Sequence, residues 1–181
     1  MFDREYAFRG SHAVKVKKLT TSFDNDGHSF FITNVNLYAF APIVGFLYRE
    51  KDDIDKSIDE NTKIFTDALL KNKDQLVFNY RLIMMLDKEN EPDVEERMNK
   101  AFKYFGTEKA KRDEELYNQY VLGGVNKIYE KLMGNEKINE DYLRNLFKFM
   151  QEIENRYNKT TSESDIIELA KADPEELEKI I

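Results

Sequence analysis

Two histidines, 35 acidic side chains and no cysteine are what this 181-residue chain has available for chemistry. The absence of cysteine removes thiolate nucleophiles, disulfides and Cys-ligated zinc together, and it fits a reducing compartment. His12 and His28 have no His-Glu-x-x-His context and no partner at metal spacing, so a histidine-based zinc site is not expected. Each reads as an ordinary surface histidine. Ser22, Asp24, Asp26 and Gly27 fit the first, third, fifth and sixth positions of a calcium loop, where oxygen ligands and a sharp glycine turn are needed. The match fails at both ends, since Ser22 replaces the first carboxylate and Thr33 stands where a bidentate one is required. A turn is expected there, and no metal.

Asp52, Asp53, Asp55, Asp59 and Glu60 form an acidic run that reads as a solvated loop. Paired carboxylates for acid–base work carry no sequence signature, because burial is what tunes them. No glycine-rich phosphate loop occurs, and the Gly123-Gly124 pair falls inside a helical pattern, with close packing favoured over a hinge. Arg81 adjoins the apolar Tyr80, Ile83 and Met84, so it is expected to be partly buried and to pair with a carboxylate; anion binding is the alternative. Arg4, Arg9, Lys15, Lys17 and Lys18 against Asp3 and Glu5 leave five minus two, a local charge of +3 in a chain of −7. With Tyr6 and Phe8 interleaved, Arg9, His12, Lys15, Lys17 and Lys18 form a candidate nucleic-acid contact.

The elements that must position these groups are mainly α-helical. Seven glycines and three prolines are few helix breakers for this length, and 41% hydrophobic residues suffice for one core. Residues 12–20 fit a helix capped by Ser11 or a strand alternating at Val14 and Val16 equally well. Asp26-Gly27 between Leu19–Phe23 and His28–Ile32 signals a small β-hairpin. Leu37–Tyr48 is apolar almost all round and should be the most buried element, kinked at Pro42 or beginning there. Further amphipathic stripes lie at Ile64–Met84, Val94–Phe105, Tyr117–Leu132 and Tyr142–Ile153. The expected organisation is one helical bundle over residues 1–157 and a short helical appendage over 158–181.

The aromatic pair Phe30-Phe31, the entry Asn34-Val35-Asn36-Leu37-Tyr38 and the apolar Ala41–Tyr48 helix resemble small helical accessory proteins of bacterial DNA-phosphorothioation and related defence islands. The resemblance implies a non-catalytic subunit acting with DNA-modifying or DNA-cleaving partners. It covers about a tenth of the chain and carries over no functional residue.

Function is therefore expected to be interaction more than catalysis. An adaptor that needs no cofactor is the leading reading, its partner another protein or a second copy. The tail is its expected docking element, through Ile166, Ile167, Leu169, Leu177, Ile180 and Ile181. A nucleic-acid module using the N-terminal cations, and a carboxylate enzyme of unrecognised type, are the alternatives. No apolar leader or spanning run is apparent, which makes the cytoplasm the expected location.

Overall fold

The structure is a computed structural model that describes residues 1–134 and 139–160. The chain divides into two compact units, Met1–Asn135 and Glu136–Ile181. The last described helix thus belongs to the second unit, whereas the sequence suggests a boundary after residue 157. The fold is mainly α, with seven α-helices and one two-stranded antiparallel sheet among the described residues.

The first unit is built on α2 (Asn34–Tyr48) lying against α6 (Lys111–Met133). The Thr33 hydroxyl caps α2 by accepting from the Asn36 backbone N–H at 3.3 Å. Pro42 lies inside α2, which runs through it as one continuous helix. Arg49 closes the helix at φ 57°, letting the Glu50 N–H reach the Gly45 carbonyl at 2.9 Å. Gly45, Gly123 and Gly124 explain how closely the two helices meet. A methyl at Gly124 would land on the Ala41 carbonyl, one at Gly45 on the Tyr120 carbonyl, and one at Gly123 on the Glu50 carbonyl. These glycines are packing residues, as their place on the stripe suggests. α2 buries seven of its 15 residues and α6 eleven of its 23, about the same share, and Phe40 and Leu47 of α2 remain exposed.

Beside this pair lies an aromatic cluster. Phe2 sits 5.9 Å from Tyr117 and 6.3 Å from both Tyr38 and Phe105, and Tyr80 stacks 5.0 Å from Phe105. The first residues of the chain are thereby part of the core.

Residues 12–20 resolve as helix α1 (Gly10–Thr20), since Ala13, Val16 and Leu19 are buried at helical spacing. The antiparallel sheet of this segment is made by β1 (Tyr6–Arg9) and β2 (Asn61–Ile64), with Tyr6 opposite Ile64 and Arg9 opposite Asn61. Its strands are not the flanks of Asp26-Gly27. Leu19 is already committed to α1, so no first strand is left there; the Asp24 carboxylate instead accepts from the Asp26 and His28 N–H groups as an Asx turn.

Two abutting helices, α3 (Thr66–Lys71) and α4 (Lys73–Leu86), come next, succeeded by α5 (Val94–Met98) and a π-helical turn, Asn99–Lys103. Asp93 caps α5 through the Glu96 N–H at 2.8 Å. The stripe of Val94, Met98 and Phe102 faces outward, half exposed, contrary to its apolar pattern. Arg97 is the physical reason. It is buried on the opposite face, donating to the carbonyls of Met85, Glu91 and Pro92 at 2.8 Å each, and with Ala101 one turn on it fixes which side faces the core.

In the second unit, α7 (Asn139–Thr160) buries Phe149 but leaves Leu143, Phe147 and Met150 exposed. The apolar stripe expected to turn inward is wider than the face this helix buries. Among the described residues no helix is long and apolar enough to cross a membrane.

The α2–α6 contact has a direct test. Gly124→Ala is expected to destabilise by about 3 kcal/mol or more, at the upper end for overpacking, because backbone must move to admit the methyl. Glu115→Ala, an exposed position on the same helix, is the control. Urea unfolding that ranks the two alike would refute the account.

Candidate functional site

Among the described residues, one surface groove sets apolar walls around an arginine that has no carboxylate partner. Its floor and one wall are α4, whose Asp74, Val77, Phe78, Arg81, Leu82 and Met85 recur at spacings of three and four along one face. Phe102 and Phe105, from the π turn and just beyond it, form the other wall, and the open volume is about 760 Å³. Phe78 is 59% and Phe102 55% exposed, so two large rings face water here. The opposite face of α4 carries Leu76, Tyr80, Ile83 and Met84 into the core.

Arg81 sits among these residues. Its guanidinium carbon lies 5.1 Å from the centre of the Phe102 ring, a cation–π stack, while its Nε is shut off from water with no hydrogen-bond partner. The sequence suggests a carboxylate partner for Arg81; among the described residues no salt bridge to it is formed. Arg97 offers the contrast of a buried arginine fully met by carbonyls.

A second cluster joins the acidic loop to α1. Asp55 Oδ2 accepts from the Ser11 N–H at 2.8 Å and so caps α1 from outside the helix, a role the sequence assigns to Ser11. These bonds hold the Asp55 carboxyl far below its ordinary range. Gly10, at φ 58°, leaves space that a side chain would take from Asp55, whose carbonyl would stand 2.6 Å from an added carbon. His12 is 1% exposed; its Nε2 lies 3.1 Å from Asp52 Oδ2, and its Nδ1 is buried with no partner. Asn126 donates to the same Asp52 oxygen at 2.6 Å and accepts from Lys15 Nζ at 2.6 Å. The acidic run stays mostly exposed, as a solvated loop does, while Asp52 and Asp55 tie it as a strap to α1 and α6. Burial pushes the His12 imidazole down, with Asp52 pulling the other way, and the hydrogen bond it makes among the described residues is to that carboxylate. His12 is a structural histidine rather than a surface one.

The five N-terminal candidates are spread and mostly occupied. Lys17 pairs with Glu60 at 2.5 Å, and Lys18 donates to the Tyr129 hydroxyl at 3.2 Å. Lys15 and His12 belong to the Asp52 network, and Arg9 is exposed on β1. Of the five cations behind the local excess, only Lys17 pairs with a carboxylate of the strap; Lys15 and Lys18 donate to neutral oxygens of α6, and Arg4 and Arg9 are exposed. Neither histidine's acid partner was legible: His12 meets Asp52 across 40 positions, and His28 meets Asp24 four residues away at 2.6 Å. Asp24, Asp26 and His28 offer ligand atoms within 4.8 Å of one another; Asp26 and His28 are exposed, and the half-buried Asp24 carboxylate is already bonded to the Asp26 and His28 N–H groups and to the His28 ring. The tail residues Ile166, Ile167, Leu169, Leu177, Ile180 and Ile181 lie outside the described residues.

Comparison of the chain with family models, curated proteins and solved structures returns no match.

The geometry can be tested by titration. His12, depressed in the fold, takes up its proton more readily when unfolded, so its contribution to stability is full above about pH 6.5 and declines as pH falls. His28, raised by Asp24, acts with the opposite sign. In a His28→Gln background, unfolding free energy is expected to fall between about pH 7 and pH 5, and His12→Gln to flatten that slope; equal slopes would sink the assignment. Calorimetric titration with calcium is expected to give no binding tighter than about millimolar at Asp24 and Asp26, and a micromolar site would overturn the turn reading.

Proposed function

We propose that this chain is a non-catalytic interaction protein whose docking surface is the groove between α4 and the Asn99–Lys103 turn. The observation that carries it is the pair of half-exposed rings, Phe78 and Phe102, flanking a half-buried Arg81 without a carboxylate. Exposed aromatics grouped around an arginine are the composition of a binding hot spot. Its polar lining is Lys73, Asp74 and Arg81, with neither a nucleophile–base pair nor two carboxylates to share acid and base roles. That composition supports binding over catalysis.

Service as an accessory subunit of a DNA-modification or defence system is compatible with this reading. The resemblance that suggests it falls on the α2 region, where Leu37, Tyr38, Ala41 and Val44 are core residues, so it specifies no partner. Docking through the tail remains part of the proposal as a second contact made by the same class of protein.

The test separates binding from folding. Phe78→Asp is expected to leave unfolding free energy within about 0.5 kcal/mol, as a surface change away from packing does. A photo-cross-linking residue at Leu82 is expected to trap one partner in cells of the native host, and the Phe78→Asp change to abolish that adduct. A destabilised Phe78→Asp protein, or an adduct indifferent to it, would defeat the proposal.

A further inference from the structure

We propose that the occupant of the groove is an acidic amphipathic helix, anchored by apolar side chains between Phe78 and Phe102 and by a carboxylate on Arg81. This rests on the docking role proposed above and adds the chemistry of the partner. Charge comes first. Arg49, Arg144 and Arg156 each pair with a carboxylate, Arg4, Arg9 and Arg112 lie exposed to water, and Arg97 is buried on carbonyls, whereas Arg81 is half-buried with its Nε unpartnered. Lys100 has two, Glu91 and Asp113, and Lys127 has two, Glu50 and Glu130. Among the described residues Arg81 has none, and its neighbours along the groove are Lys73 at one end and Asp74 beside it. Asp74 stands in the first turn of α4, where the helix N-terminus stabilises a negative charge.

Any macromolecule that covers Val77, Phe78, Leu82 and Met85 also strips water from the Arg81 guanidinium. A covered cation without a partner is strongly unfavourable, whereas one that meets a carboxylate in bidentate geometry is not. The occupant must therefore bring the negative charge that this chain withholds. Its backbone must also be satisfied. The walls are side chains of a helix and a π turn and present no free strand edge, so an extended segment would leave its N–H and C=O groups unpaired against apolar atoms. A helix satisfies its own. The lining from Lys73 to Met85 runs about 18 Å at 1.5 Å per residue, room for about three turns with anchors at spacings of three and four.

The experiment uses the full chain and two synthetic helical peptides with the same leucine stripe, one flanked by glutamates and one by lysines, monitored by fluorescence anisotropy. The net charge of −7 repels the glutamate peptide at long range, so a preference for it reports a local cation, and the Arg81→Glu change assigns it to the groove. Expected is binding of the glutamate peptide at least about tenfold tighter than of the lysine peptide, as partnering one covered cation supports. Arg81→Glu, checked for an unchanged melting curve, is expected to reverse that order, and Phe102→Ala to weaken both peptides. Equal affinities, a preference untouched by Arg81→Glu, or tighter binding of a single-stranded DNA oligonucleotide would overturn the inference. So would a concentration-dependent dimer that the peptides cannot dissociate, since the occupant would then be a second copy. If the Leu82 adduct still forms while the peptides fail to discriminate, the docking role stands and only the acidic helix falls; if both fail, the groove is not a docking surface.

Discussion

The contact between α2 and α6 is made backbone against backbone, and everything else in the first unit is arranged around it. Ala41 and Gly45 on one helix meet Tyr120 and Gly124 on the other with no side chain between, so the axes come closer than ordinary side chains permit. That closeness sets where the flanking groups must go. Gly123 makes room for the Glu50 carbonyl at the end of α2, which starts the strap of residues 50–60 on its path across α6 and onto α1. Asp52 then bonds the Gln119 carbonyl through its N–H at 3.1 Å and reaches His12 and Asn126 through its side chain. One missing methyl group per glycine decides the course of a loop far larger than itself.

Much of the helical order could be read from periodicity. The stripes of α4 and α6 turn inward where apolar residues recur every three or four positions, and glycine on the α6 stripe correctly implies a near neighbour. What periodicity could not supply is choice between two faces of similar character. In α5 and the turn after it, Arg97 and Ala101 win the inside over Val94, Met98 and Phe102, because three carbonyls left by the preceding turn satisfy the guanidinium. A hydrophobic count sees an arginine as a surface residue. The groove exists because of that inversion, and this is why Arg81 was legible as unusual while the exposure of Phe102 was not.

The N-terminal segment departs from its sequence pattern for a different reason. A positive local charge and an acidic run 40 residues later look like two surface features when taken in chain order, and folding makes them one. Lys17 with Glu60, Lys63 with Glu5 and His12 with Asp52 are all pairings across at least 40 positions. The Asp26-Gly27 signal was sound as a turn and unsound as a hairpin, since a hairpin needs two free strands and α1 had claimed one.

The strap and the sheet have a consequence for how the chain is assembled. β1 waits for β2, α1 waits for Asp55 to close its first turn, and α2 waits for a helix that begins only at Lys111. These pairings span 40 positions or more, and ordering long intervening segments before such contacts form slows folding. On the ribosome, β1, α1 and β2 can associate early, but α2 lacks its principal partner until α6 has emerged. Over that interval the apolar Leu37–Tyr48 segment has a face to be shielded from other exposed chains.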